Sequence, residues 1–350
     1  MLNWKKIFGG ISHMQAERAP TPELFWNTLT AYQHSAAIKA AVELEIFTRI
    51  GAGANTAGEI AGAADASERG IRILCDTLTV LGFLIKDGSR YSLTDATAMF
   101  LDKKSHAYLG SMTEFMHSPQ QKAGFEDLTE SVRRGGAVVD DNASISPDSP
   151  MWVTFAKAMM PMMFPAAQQV AENIGFDHGR KLKVLDIAAG HGIYGIMVAK
   201  SFPNAEIYAL DWANVLTVAT ENAAKFGVSE RHHLIPGSAF DTDFGGNYDV
   251  VLLTNLLHHF DEPTCVGLLK KINKVLTADG KLMTLEFVPN DDRVSPRSEA
   301  LFSLIMLAST PAGDAYTFAE LTRMCEEAGF TKNEHIHFAP TPQHLIVSTK

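Results

Sequence analysis

The sequence predicts an α/β chain: a parallel sheet wound with helices on both faces and closed by an antiparallel C-terminal hairpin, behind a mainly helical N-terminal module. Three observations carry this. From about Lys181, short apolar runs alternate with runs of helical length. The chain closes on two β-prone runs, NEHIHFAP and QHLIVSTK, joined at Thr341-Pro342. Upstream, two helix signals are followed by a hairpin signal, which is the winged-helix order.

A length of 350 residues allows two domains, each with its own core. The net charge of −10 argues against a nucleic-acid partner and against an anionic membrane surface. Three widely spaced cysteines, Cys75, Cys265 and Cys325, suggest neither a disulfide framework nor a zinc knuckle, so a reducing, cytoplasmic setting is expected. The first twenty residues lack the apolar run of a signal peptide and read as a mobile tail.

In chain order, residues 21–105 form the first module. Helical spacing from Thr21 to Ile50 predicts one or two helices. Thr56 and Glu59 make a capping box that starts the next. Another begins near Glu68 and runs through ILCDTLTVLGFL. Asp87-Gly88 then turns a hairpin. Residues 51–110 hold six basic and seven acidic side chains, and the second helix is mostly apolar. That suits burial against a second subunit better than the major groove of DNA. Residues 106–178 read as a methionine-rich helical linker, interrupted by a loop from Arg133 to Pro150, with Pro161 as a possible kink.

Residues 179–350 form the second module. KLKVLDIAA, AEIYALD, HHLIPGS, YDVVLLTNLL and GKLMTLEFVP read as strands, with a helix through PTCVGLLKKINKVL up to Asp279-Gly280. With the closing hairpin the sheet has seven strands and is Rossmann-like.

Ligands of such sheets lie beyond the carboxyl ends of the strands. Gly190-His191-Gly192-Ile193-Tyr194-Gly195 follows the first strand as G-x-G-x-x-G, a pattern that alone is weak evidence. Asp211 ends the second strand and would hold a ribose in either a nicotinamide dinucleotide or S-adenosylmethionine (SAM). Asp186, four residues before Gly190, separates the two. A carboxylate repels a pyrophosphate but suits the ammonium and sulfonium of SAM.

VLDIAAGHG, ALDW, GSAF, YDVVLLTNLLHHFDEPTC and LEFVP, with TAGEIAGAADASERGIRILCDTLTVLGFL upstream, resemble the SAM-dependent small-molecule O-methyltransferases that carry an N-terminal winged-helix dimerisation domain. The resemblance runs from about Thr21 to the end. It implies a homodimer and a small-molecule acceptor with a phenolic or enolic hydroxyl. It also implies roles. Asp186, Gly190 and Gly192 would line the methionine part of the cofactor and Asp211 the ribose. Trp212, Ala239 and Phe240 would flank the adenine, and Ser238 and Asn255 would also bind the cofactor. Ser238 stands where an aspartate is usual, Thr254 where a lysine is common, and His191 where a small residue is.

His258 falls on the family's general base and Glu286 on the glutamate that orients it. His259 takes an aspartate's place and reads as structural. A second orienting carboxylate aligns with Ala315; Asp314 is one residue off. Thr317 and Glu320 cap a helix. Among Met159, Met160, Met162 and Met163, some would face the acceptor. Phe155, Met159, Met163, Phe302 and Met306 are the expected acceptor wall. The histidine spacing suggests no metal set. Methylation at carbon, or a non-methylating use of SAM, is the alternative on the same fold. A ligand-sensing winged-helix protein is another.

Overall fold

The computed structural model describes residues 20–138, 149–338 and 341–350. The expected N-terminal tail and most of the Arg133–Pro150 loop lie outside these residues. The chain divides into two compact units between Ala98 and Met99.

In the first unit, α1 (Glu23–Glu43) and α2 (Ile46–Gly51) precede α3 (Ala57–Ala64) and α4 (Glu68–Val80). The strands β1 (Leu84–Asp87) and β2 (Arg90–Leu93) pair antiparallel around Asp87-Gly88, and α5 (Asp95–Phe100) follows. The Thr56–Glu59 capping box forms as expected. Helix α4 stops at Val80, short of the expected Leu84. Ile71, Cys75 and Leu78 lie on one face of α4 and are buried within this unit, with Ile46, Phe47 and Ile60. Apolar side chains remain exposed on α1 (Leu24, Phe25, Trp26, Leu29 and Tyr32) and on α4 (Ile73 and Val80).

In the second unit, α6 (Met112–Met116), α7 (Pro119–Glu126), α8 (Leu128–Arg134) and α9 (Pro150–Glu172) precede the sheet. Helix α9 runs unbroken, with Pro161 and Pro165 inside it. The order then alternates: β3 (Lys183–Ile187), α10 (Ile193–Ser201), β4 (Glu206–Asp211), α11 (Ala213–Lys225), β5 (His232–Pro236), β6 (Tyr248–Thr254), α12 (Glu262–Val275), β7 (Leu276–Glu286). Helices α13 (Arg297–Ser309) and α14 (Phe318–Glu327) lead to β8 (Lys332–His337) and β9 (His344–Thr349). Helix α12 ends at Val275, and the stretch through Asp279-Gly280 belongs to β7, whose pairing with β6 shifts register there.

The seven-stranded sheet has the order β5-β4-β3-β6-β7-β9-β8, in which β9 alone runs against the others, paired antiparallel to both β7 and β8. From β3 the chain winds outward to β4 and β5, then returns to β6 on the other side of β3. The crevice therefore opens at the carboxyl ends of β3 and β6. Alternate strand residues feed two cores. Val184, Val250, Leu252 and Leu285 pack beneath α9 and α10, while Leu185, Val251, Leu253 and Leu282 pack beneath α12 and α14. Among the described residues, no helix is long and apolar enough to cross a membrane.

Candidate active site

Two hollows, of about 480 and 440 Å³, open beyond those strand ends. They share the side chains of Trp152, Phe155, Met163, Asn255 and His259 as a common wall, so they adjoin. Ala188 after β3 and Asn255 after β6 both adopt positive φ, of 54° and 53°, and both line the first hollow. Such left-handed residues cost about 1–3 kcal/mol each and cluster where a fold aims its backbone at a ligand.

The first hollow is walled by Gly190, His191, Asp211, Trp212, Ser238, Ala239 and Phe240, among others. Asp211 Oδ2 accepts the Gly190 N–H at 2.8 Å and Oδ1 accepts the Trp212 N–H at 2.7 Å. Each oxygen keeps a further lone pair for a ligand. Burial pushes its carboxyl up to about 6, against the pull of those two N–H groups. Ser238 Oγ accepts the Phe240 N–H and so shapes its own loop. His191 Nδ1 accepts the Ile193 N–H, and burial lowers this imidazole to about 4, so it stands neutral in the wall. Among the described residues, the wall carries the carboxylates Asp211 and Asp241 and no lysine or arginine.

Asp186 and Gly192 do not line this hollow. Asp186 shares the parity of Val184, which turns it beneath α10, and it is fully buried. Its Oδ2 accepts the Gly195 N–H at 3.0 Å, while Oδ1 has no partner. Burial raises the carboxyl to about 7, the Gly195 N–H opposes this, and Asp211 adds to it. Gly192 begins α10 at φ 72°, where a Cβ would press on Ala219 at 2.9 Å. Both residues shape the turn from behind the hollow.

The second hollow is apolar. Phe155, Met159, Met163, Phe302 and Met306 all line it, as expected, joined by Phe115, Met162, Phe287 and Ile305. His258 stands in its wall, on a single 3₁₀ turn, Leu257–His259, after β6. Glu286, at the end of β7, holds that turn. Its Oε1 accepts the N–H groups of Leu256 and Leu257 at 3.0 and 2.8 Å, and His258 Nδ1 donates to Oε2 at 2.5 Å. Charge-assisted bonds of this kind contribute about 1.5–3 kcal/mol each. A carboxylate that is already an acceptor requires the proton on Nδ1. That leaves the Nε2 lone pair, which has no protein partner among the described residues. The dyad is almost wholly buried.

His259 lines both hollows, edge-on to Trp152 at 5.6 Å. Burial, reinforced by His258, holds it far below the usual histidine range, so it is a neutral partition. Asp314 does not reach the dyad: it pairs with Arg293 at 3.1 Å, and Arg293 also meets Glu320. Asn255 is fixed by Gln343 Nε2 at 2.7 Å and donates to the Tyr194 hydroxyl. Tyr194, Trp152 and Gln343 were not expected. Aromatic and amide residues scattered over 190 positions leave no local pattern. Folding also brings Glu299, His337 and His344 within 4.8 Å of one another, a grouping that the histidine spacing in the sequence does not suggest.

Residues 143–331 match the family model of the O-methyltransferase domain, and residues 26–103 match that of the O-methyltransferase dimerisation domain. Over 330 residues the chain is 26% identical to 3-hydroxy-5-methyl-1-naphthoate 3-O-methyltransferase of Streptomyces sahachiroi, covering 93% of this chain and 94% of that one. A crystal structure from Nostoc punctiforme, provisionally described as an O-methyltransferase, is 50% identical with a TM-score of 0.91, covering 95% of this chain and 100% of that chain. Human N-acetylserotonin methyltransferase, solved in complex with SAM, shares the fold with a TM-score of 0.82 at 21% identity, covering 96% of this chain and 99% of that one.

Proposed function

This chain belongs to the O-methyltransferase family and carries that family's dimerisation domain; from this premise we propose that it methylates a hydroxyl of an aromatic or enolic small molecule, with His258 as general base and SAM as donor. The observation that carries the reading is the adjoining pair of hollows, one acidic and one apolar, with an unpartnered imidazole nitrogen at the second.

The first hollow fits SAM. Among the described residues, its wall offers two carboxylates and no lysine or arginine to meet a phosphate. Asp211 would hold the ribose hydroxyls, Trp212, Ala239 and Phe240 the adenine, and Gly190 the methionine portion. When bound, SAM supplies a methyl group already activated by its sulfonium.

The chain's residues then do three things. Phe155, Met163, Phe302 and Met306 clamp a flat, apolar acceptor and exclude water. His258 Nε2 accepts the acceptor's hydroxyl proton as the oxygen becomes a nucleophile. Glu286 keeps the ring in the productive tautomer and stabilises the imidazolium that results. Two copies pair through the N-terminal unit, which leaves the apolar face of α1 for that contact.

Calorimetry tests the cofactor assignment. SAM is expected to bind, Asp211→Ala to weaken it by at least tenfold, and NAD not to bind; binding of NAD with no response to SAM overturns the reading. A panel of phenols with methyl-labelled SAM then identifies the acceptor class.

A further inference from the structure

We propose that Glu299, His337 and His344 form a binding site for a divalent transition metal of the zinc class, tying the C-terminal hairpin to α13. One carboxylate oxygen and two ring nitrogens lie within 4.8 Å of one another. Glu299 Oε1 and His344 Nε2 are 3.4 Å apart, close to the separation of about 3.4 Å between tetrahedral ligands each about 2.1 Å from zinc.

Topology makes the site. His337 and His344 face each other across the β8–β9 pair, so their rings share one side of the sheet and stack at 4.3 Å. The β8 alternation puts His335 on that side too. His344 Nδ1 lies 2.7 Å from His335 Nε2, and His335 is itself stacked on Phe318 at 4.6 Å. Ion binding requires the proton on His344 Nδ1, donated to His335 Nε2, so that the Nε2 lone pair faces the ion; without the ion, Nε2 is placed to donate to Glu299 Oε1. An outer imidazole that fixes a ligand's tautomer in this way is a regular feature of metal centres.

Glu299 supplies the electrostatic case. Its carboxylate is only 2% exposed, and the polar groups on it are the Ser298 hydroxyl, which donates to Oε2 at 2.6 Å, and His344. Among the described residues, no lysine or arginine pairs with it. A buried carboxylate without a cation is costly, and a bound divalent ion removes that cost. His337 is exposed, which gives an ion a way in and leaves a fourth position for water. The consequence falls on the neighbouring hollow. Phe302 lies one helical turn after Glu299 on α13 and stacks on Phe287 at 3.9 Å, so an ion at Glu299 stiffens one wall of that hollow.

The test uses the full chain after chelator treatment. Titration with Co²⁺ is expected to give one equivalent of a visible ligand-field band, displaced by Zn²⁺. His337→Ala, a change at an exposed residue, and the near-isosteric Glu299→Gln should each weaken binding at least tenfold. Zn²⁺ should raise the Tm of the wild type but not of His337→Ala. Equal metal response in wild type and His337→Ala overturns the proposal, as does the absence of stoichiometric binding. Loss of the Co²⁺ band in His258→Ala also overturns it, since the ion would then sit at the dyad.

Discussion

Glu286 organises the dyad through both of its oxygens: one gathers two backbone N–H groups of the loop, the other takes the His258 ring. Substitution there should separate into two effects. Glu286→Gln keeps the shape but presents an amide that can donate as well as accept, so the tautomer preference of His258 is lost. The turnover number should fall about 10²–10³-fold, with SAM affinity unchanged in calorimetry. A comparable loss of SAM affinity would assign Glu286 to the cofactor instead. Asp186 acts on stability. Its carboxyl is raised to about 7 in the fold, against about 3.9 in an unfolded chain. A carboxyl raised in this way favours the native state most below the unfolded value, and that benefit fades as pH climbs to the folded one. The ligand-free protein should therefore lose stability between about pH 4 and pH 7. Asp186→Asn should raise Tm at pH 8 by about 2–4 °C, the shift that ~1 kcal/mol produces in a chain of this size. An identical Tm difference between variant and wild type at pH 5 and pH 8 would contradict the account. The meeting of His258 and Glu286 was legible because Glu286 ends β7 and His258 follows β6 by one short turn, so both fall at the carboxyl ends of neighbouring parallel strands. The burial of Asp186 behind the turn was not legible, because a strand-end position fixes depth along the crevice while the residue's parity decides which face it meets.

At the scale of elements, the site depends on close approaches between segments far apart in sequence. Gly313, between α13 and α14, lies so near the dyad loop that an added Cβ would stand 2.1 Å from the His258 carbonyl oxygen. Gly313→Ala should displace that loop. Activity should fall at least tenfold, with about 1–3 kcal/mol of stability lost to overpacking. Full activity at unchanged stability would show that the loop yields freely. Helices α9 and α13 line the apolar hollow; with the acceptor bound there, as proposed, Phe302→Ala should raise KM for a phenol more than it lowers the turnover number. The α9 wall was legible in its methionines and phenylalanines, because apolar residues in excess of core need must face something. How much of the apolar surface of α4 is covered within the first unit was not. The apolar residues of α4 and of α1 look alike in sequence, and only packing within the unit shows that Ile71, Cys75 and Leu78 are already covered.

At the scale of the molecule, order and spacing along the chain were enough to read the seven-stranded sheet, its antiparallel closure and the winged-helix module ahead of it. Alternating strand and helix signals are local, and the handed crossover rule leaves few ways to assemble them. The cluster of Glu299, His337 and His344 was not legible, since its members meet only through strand register and a helix start. Exposed apolar surface on α1 predicts assembly: sedimentation should give a dimer, and Trp26→Asp should shift it toward monomer while the second unit stays folded. The central claim is that His258 removes the acceptor's proton beside a separately held cofactor. It is tested most directly by the single-turnover rate of labelled methyl transfer from saturating SAM to the best phenol, in wild type and His258→Ala. The account predicts a fall of about 10²–10⁴-fold with the SAM dissociation constant unchanged; an unaltered rate in the variant would contradict it.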